Sequence, residues 1–203
     1  MQRAGCGVHA LAIEMKFFTK KESLAVTFIL LLILLASFTN LKDSLRRARD
    51  LQRKNDVSEL TDIIARYGGD FGSFPLSDSQ GRIVACKGPD TKVDAKGRIT
   101  GLTSCDWGID PLVDVSDPTY PPYKDRLPLD PDEDKGVKYY YASNGKRFQL
   151  YAALEGTDEA EYDEKILARD LPCGTRICNF GLAYGATPLD KSIEEYENEL
   201  LGK

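Results

Sequence analysis

The sequence predicts an α+β fold, in which a long N-terminal helix packs on a small antiparallel β-sheet domain with long disulfide-stapled loops. Residues 23–41 are apolar and uncharged, and residues 42–67 continue with apolar side chains mostly three or four positions apart. Residues 137–154 contain two aromatic, β-rich segments separated by an Asn-Gly pair. A chain of 203 residues is long enough for one such domain and a helical extension.

The apolar segment at residues 23–41 predicts a membrane-spanning helix. About nineteen uncharged residues, at a rise of about 1.5 Å each, approach the roughly 30 Å hydrocarbon core of a bilayer. A cleaved secretory signal and a buried core helix are the alternatives. The apolar region of a signal is usually shorter and ends at a small-residue cleavage site, whereas this segment runs directly into a charged helical pattern.

The helix is predicted to continue beyond the membrane segment in amphipathic form, because one stripe of its side chains is apolar. Arg and Asp residues are expected to cover the remaining surface. The pair Gly68-Gly69 predicts the end of the helix, and Phe74-Pro75 predicts the start of a loop. The apolar stripe comprises Leu45, Ala48, Leu51, Val57, Leu60, Ile63, Ile64 and Tyr67.

The clearest β structure is predicted in the second half of the chain. Residues 75–134 are rich in Gly, Pro, Ser and Asp, which predicts a long and mostly irregular excursion. Val137–Ser143 and Lys146–Leu154 are separated by Asn144-Gly145, a pattern typical of a type I′ hairpin. Two short elements are expected after the hairpin, one near Ile166 and a terminal helix between Asp190 and Leu201.

The charge distribution and the residue types argue against nucleic-acid binding and catalysis. Without residues 1–41 the chain has 23 basic and 30 acidic residues, and an acidic domain gains little from neutralising phosphates. We therefore expect no direct nucleic-acid partner. The only histidine is His9, and the domain has neither a Gly-rich phosphate loop nor a nucleophile with an evident base, so we expect no enzymatic activity.

Four cysteines follow the helix, and disulfides persist mainly outside the reducing cytosol. Three pairings are open, of which sequence proximity favours Cys86–Cys105 and Cys173–Cys178. A zinc site is the alternative, but it usually requires two close cysteine pairs, and these spacings fit that pattern poorly. We therefore expect two disulfides in an oxidising compartment.

Several segments together resemble the type IV pilins and the pseudopilins of type II secretion. Phe18, Thr19 and Glu22 keep the spacing with which pilins enter their helix, and an Arg-rich stretch follows the apolar half, as in pseudopilin-like chains. The helix exit at residues 67–75 and the tyrosine-rich hairpin at residues 139–148 are also similar. The resemblance covers residues 16–75 closely and residues 127–154 loosely.

This resemblance implies a structural subunit of a type IV pilus or pseudopilus-like surface filament, a helical homo-oligomer that assembles through its apolar N-terminal helix. Such a subunit is a single-pass membrane protein with an extracytoplasmic domain before inner-membrane machinery assembles it into an extracellular filament. The implied organisation is a leader or cytoplasmic tail at residues 1–17 (Met15 is a candidate true start), a transmembrane or filament-core helix half at 18–41, an amphipathic helix half at 42–68, and an exported globular domain at 69–203.

Leader processing is the point at which the sequence departs from this family. The resemblance implies cleavage between Phe17 and Phe18 and methylation of the new amine, but the family has Gly where this chain has Phe17. Lys20 and Lys21 also replace two apolar residues. The alternative is a non-polymerising, single-pass membrane-anchored surface protein with a ligand-binding pilin-like domain.

The resemblance also implies a role for Glu22 in assembly. At this position in the family, the carboxylate is thought to pair with the N-terminal amine of a neighbouring subunit. A carboxylate without a partner is costly at the edge of the hydrocarbon region. A position among lipid headgroups, beside Lys20 and Lys21, is the alternative.

An acidic loop before the hairpin is a candidate metal site, because major pseudopilins carry a calcium loop nearby. No EF-hand spacing is present. A solvated acidic turn is the commoner meaning of such a run, so we expect no cofactor; a structural calcium ion is the alternative. The candidate ligands are Asp125, Asp130, Asp132 and Asp134.

The basic residues around the apolar segment conflict with an exported domain. Three lysines precede the segment and six basic residues follow it, so the positive-inside rule alone places the larger domain in the cytoplasm. The cysteines and the resemblance favour export, which is the orientation that we expect. The six residues are Lys42, Arg46, Arg47, Arg49, Arg53 and Lys54.

Overall fold

The computed structural model describes residues 19–95 and 98–202. Two compact units make up the chain, Met1–Ser44 and Leu45–Lys203. Helix α1 spans Lys20–Phe71, 52 residues, and contributes to both units. The long N-terminal helix and the α+β class are therefore confirmed.

Helix α1 ends later than the sequence predicts. It continues through Gly68 and Gly69 to Phe71, although glycine lowers helix propensity by about 1 kcal/mol relative to alanine. Packing compensates, because the rings of Tyr67 and Phe71 lie 4.3 Å apart and the ring of Tyr67 lies 5.4 Å from that of Tyr123. Gly72, with a φ of 73°, is the first residue that leaves the helix in the left-handed conformation.

The C-terminal unit contains short strands and two short helices after α1. A 3₁₀ turn at Glu133–Lys135 precedes the hairpin. In chain order the other elements are β1 (Leu76–Ser77), β2 (Ile83–Cys86), β3 (Lys92–Val93), β4 (Ile99–Thr100), β5 (Thr103–Ser104), β6 (Tyr140–Ser143), β7 (Phe148–Ala152), α2 (Glu164–Leu167), β8 (Pro172–Cys173), β9 (Arg176–Ile177), β10 (Phe180–Ala183) and α3 (Ile193–Leu200).

All strand pairs are antiparallel in the part of the chain that the structure describes. One three-stranded sheet has the order β10-β7-β6 and another has the order β1-β2-β5, while β3-β4 and β8-β9 form two-stranded pairs. The region at residues 75–134 is thus less irregular than predicted, since it contains the whole β1-β2-β5 sheet. The short element expected near Ile166 is helix α2, and the terminal helix expected between Asp190 and Leu201 is α3.

The hairpin between β6 and β7 is present, but the predicted turn is wrong. Ser143 pairs with Phe148, and the amide of Asn144 donates to the carbonyl of Arg147 at 3.3 Å, so Gly145 and Lys146 form the loop. Gly145 has a φ of 83°. A type I′ turn at Asn144-Gly145 would also require a positive φ at Asn144, and the φ of Asn144 is not positive. The side chain of Asn144 instead accepts from the amides of Lys146 and Arg147, each at 3.0 Å.

The core of the C-terminal unit lies between one face of α1 and the sheet containing β7. Val57, Leu60, Ile64 and Tyr67 supply the helical side, and all of β7 is buried. Three members of the predicted apolar stripe, Leu45, Ala48 and Leu51, are exposed instead, and Arg and Asp side chains take the buried positions.

Two disulfides join the pairs that sequence proximity favours. Cys86 at the end of β2 bonds Cys105 just after β5, with 5.2 Å between their Cα atoms. Cys173 bonds Cys178 across the β8-β9 pair, and both of these side chains are fully buried. Each bridge thus closes a small antiparallel element, which restricts loops that have little core of their own.

Candidate functional site: apolar helix and charge cluster

The N-terminal unit presents an exposed apolar helix surface. Every large apolar side chain from Leu24 to Phe38 is at least 42% exposed. An 18-residue window of α1 has a mean hydropathy of 2.4 and no buried residue. By length and composition, this helix can cross a membrane.

The first turn of α1 has a reciprocal hydrogen-bond pattern typical of a capping box. The amide of Thr19 donates to a carboxylate oxygen of Glu22 at 2.8 Å, and the amide of Glu22 donates to the hydroxyl of Thr19 at 3.4 Å. Glu22 therefore stabilises the start of its own helix. Lys20 and Lys21 lie exposed in the same turn, while Phe17 and Phe18 lie outside the described residues.

A buried arginine is the most unusual feature of the C-terminal unit. The side chain of Arg53 has no solvent exposure, yet it lies among four carboxylates. Its Nε and Nη2 atoms each donate to Asp130 at 2.8 Å, and Nη2 also donates to Asp132 at 2.9 Å. Nη1 donates to Asp50 and Glu155, both at 2.9 Å. These five residues are called the charge cluster below.

The charge cluster fixes α1 to two distant segments of the chain. Asp130 and Asp132 precede the hairpin, and Glu155 follows β7. Asp50 also accepts the backbone amides of Glu155 and Gly156, at 2.8 and 3.0 Å. No buried side-chain nitrogen or oxygen is left without a partner among the described residues. A fully satisfied network of this kind specifies one packing arrangement.

The pKa values in the charge cluster follow from burial opposed by ion pairing. Burial would lower the pKa of Arg53, but its bonds to Asp130, Glu155 and Asp132 raise it overall. Burial would raise the pKa of Asp132, but Lys135 and Arg53 outweigh burial and hold it below its usual value. The pKa of Glu155 is lowered mainly by its hydrogen bond with Arg49. All three groups therefore remain ionised at neutral pH.

An acidic segment, residues 155–161, extends the ion pairs along α1. Arg49 donates twice to Glu155, at 2.6 and 2.8 Å, and Arg46 donates twice to Asp158, at 2.6 and 3.0 Å. Lys54 donates to two glutamates of the segment. With Arg53, four of the six basic residues after the apolar segment donate hydrogen bonds to carboxylates of the C-terminal unit, and a fifth, Arg47, lies 3.8 Å from Asp158.

The four predicted calcium ligands do not form one ligand set. Asp130 and Asp132 lie together, but they surround a guanidinium, and Asp132 also accepts from Lys135 at 2.6 Å. Asp125 and Asp134 are exposed. The described residues contain no group of three or more His, Cys, Asp or Glu side chains arranged to hold a metal ion.

The tyrosines near the hairpin contribute mainly to the core. Tyr139 is buried, donates to Asp56 at 2.6 Å and packs edge-on against Trp107. Burial is the main reason that the pKa of Asp56 is raised, and Coulombic repulsion from Glu59 raises it further. Tyr120, in contrast, is 42% exposed.

Comparisons with protein-family profiles, with curated proteins and with solved structures found no match to this chain.

Proposed function

We propose that this chain is a structural subunit of a type IV pilus or pseudopilus-like surface filament, which assembles through the apolar half of α1. The observation that carries the proposal is the continuity of α1. One 52-residue helix has a first half whose large apolar side chains are exposed and a second half that supplies a face of a folded, disulfide-bonded core.

The exposed apolar half of α1 must be buried against lipid or protein. Apolar surface in water costs about 25 cal/mol per Å², and patches of this size usually mark membrane or protein contacts. A bilayer covers the helix before assembly. In a filament the equivalent helices of neighbouring subunits replace the lipid, and dispersion and close helix packing hold them together.

An extracytoplasmic C-terminal unit accords with the disulfides and with the ion pairs of α1. Disulfides in both bridged elements favour an oxidising compartment. Arg46, Arg49, Arg53 and Lys54 bind acidic partners within the folded unit. Their presence after the apolar segment therefore has a cause in folding, which weakens the positive-inside argument for a cytoplasmic location.

Glu22 can serve both helix capping and assembly. A carboxylate has about four acceptor sites, and the amide of Thr19 uses one of them. The remaining sites are available to the N-terminal amine of a neighbouring subunit if cleavage occurs before Phe18. In this proposal inner-membrane machinery extracts the subunit, and the filament that it joins is extracellular.

Cysteine scanning of the apolar half tests this proposal. Single cysteines replace residues 28–35 one at a time, and intact cells are oxidised with copper phenanthroline. We expect disulfide-linked dimers at positions that recur every three or four residues, because packed helices contact one another along one face. Uniformly absent dimers contradict the filament and favour a lipid-surrounded anchor with a ligand-binding domain.

A charge substitution in the apolar half and a matched control substitution on the C-terminal unit provide a second test. Leu31→Glu places a carboxylate in the apolar half, whereas Leu201→Glu changes a side chain that is already 68% exposed on the C-terminal unit. We expect Leu31→Glu to abolish filaments in material sheared from cells and Leu201→Glu to leave them intact. Membrane insertion should survive both changes, because one charge in a long apolar helix costs only about 3 kcal/mol.

A further inference from the structure

We propose that the guanidinium of Arg53 neutralises the buried carboxylates of the acidic loop. The C-terminal unit therefore folds without the divalent cation that such a loop suggests. The inference concerns the folding of this unit and does not depend on filament assembly. It accounts for the aspartates that precede the hairpin in the sequence and are buried without forming a metal site.

The geometry of Arg53 supports this assignment. All three guanidinium nitrogens donate to carboxylates, and the donor–acceptor distances are 2.8 or 2.9 Å. A calcium ion instead takes six to eight oxygens at about 2.3–2.6 Å. The planar fork of an arginine matches a carboxylate with two parallel bonds, as it does here with Asp130. The position between the carboxylates is therefore filled by the chain itself.

Charge balance leads to the same conclusion. The charge cluster has four carboxylates, from Asp50, Asp130, Asp132 and Glu155, and one buried cation. Three further cations lie at its rim within 4.0 Å of Asp132: Arg49 at 3.7 Å, Lys135 at 2.6 Å and Arg176 at 3.4 Å. Four negative charges thus meet four positive charges. An added divalent cation would face uncompensated repulsion from these side chains.

The chain supplies these cations from separate elements. Arg49 and Arg53 belong to α1, Lys135 to the 3₁₀ turn and Arg176 to β9. The amide of Lys138 donates to the carbonyl of Cys173, and this bond holds the disulfide-closed β8-β9 pair next to the acidic loop. The disulfide Cys173–Cys178 therefore helps to position Arg176 at the charge cluster.

Thermal unfolding of the full chain in non-ionic detergent micelles tests the proposal. The wild type, Arg53→Gln and the double variant Arg53→Gln/Asp130→Asn are each measured in EDTA and in calcium chloride. We expect the wild-type Tm to be the same in both buffers. Arg53→Gln should lower the Tm by about 10 °C, because buried carboxylates lose their counter-charge, and Asp130→Asn should recover part of that loss.

The matched control is Arg82→Gln, which removes an arginine from partly exposed pairs with Asp78 and Asp106 outside the charge cluster. Its Tm should change by no more than about 3 °C. A wild-type Tm that rises in calcium and falls in EDTA would overturn the proposal, as would an Arg53→Gln variant as stable as the wild type. If Arg53→Gln does not fold, a double variant that folds supports the proposal, and a double variant that does not fold contradicts it.

Discussion

Arg53 and Asp130 form two parallel hydrogen bonds of 2.8 Å, and neither side chain is exposed to solvent. The pair joins α1 to a loop 77 residues further along the chain. A buried pair of this kind is costly to break from one side, because the remaining charge stays buried without its partner.

Removal of the carboxylate of Asp130 should therefore destabilise the C-terminal unit. We expect Asp130→Ala to lower the free energy of unfolding by about 3–5 kcal/mol in denaturant titrations of the full chain in detergent. Asp158→Ala is the control, because Asp158 is exposed and its pair with Arg46 should contribute little to stability. Equal losses in the two variants would contradict the account.

Acid should destabilise the same region. Asp132 and Glu155 have pKa values below their usual ones in the folded chain. A lowered pKa contributes stability above the unfolded pKa, and that stability is lost as the pH falls through the folded pKa. We expect the Tm to decrease steadily below about pH 4, where unfolded Asp and Glu begin to bind protons.

The variant Glu155→Gln checks the origin of this acid sensitivity. It should be less stable than the wild type at pH 6, and its Tm should decrease less between pH 5 and pH 2. If the Tm of both proteins depends on pH in the same way, Glu155 contributes nothing to the acid sensitivity.

The disulfide between Cys86 and Cys105 should stabilise the β1-β2-β5 sheet. The bridge closes a loop with a sequence separation of 19, for which chain entropy gives about 3 kcal/mol. We expect Cys86→Ser/Cys105→Ser to lose about that amount in denaturant titrations. A loss below about 1 kcal/mol would mean that the sheet holds this loop without the bridge.

Gly174 should be far less tolerant of substitution than Gly185, although both have positive φ. A Cβ at Gly174 would collide with the backbone carbonyl of Gly136, whereas a Cβ at Gly185 meets nothing within 4 Å. We expect Gly185→Ala to cost about 1 kcal/mol from backbone strain and Gly174→Ala to cost about 3 kcal/mol. Denaturant titration measures both, and equal costs would contradict the predicted collision.

The sequence predicts the overall fold because its hydrophobic patterns extend over whole helices and strands. An uncharged apolar run followed by an amphipathic one is sufficient for α1, and β-rich segments around Asn144-Gly145 are sufficient for the hairpin. Predictions of helix ends and turns are wrong where tertiary contacts determine the local conformation. Gly68 remains helical because of aromatic packing, and the turn shifts by one residue because the side chain of Asn144 bonds the backbone beyond it.

Residue types alone do not predict the charge cluster, although the periodicity of α1 indicates it. Tyr67, Ile64, Leu60 and Val57 define the buried face of α1, and the same alternation of three and four residues leads back to Arg53 and Asp50. Residue types alone instead predict that Leu45, Ala48 and Leu51 are buried. Three of the four carboxylates that make burial of Arg53 tolerable lie 77 to 102 residues away, so only the folded chain brings them to Arg53.

N-terminal sequencing and intact mass of the protein sheared from native cell surfaces test the central claim most directly. If the chain forms a filament, we expect a sheared polymer whose subunits begin at Phe18. A chain that begins at Met1 or Met15 and occurs only in membranes would contradict it and identify a non-polymerising anchor.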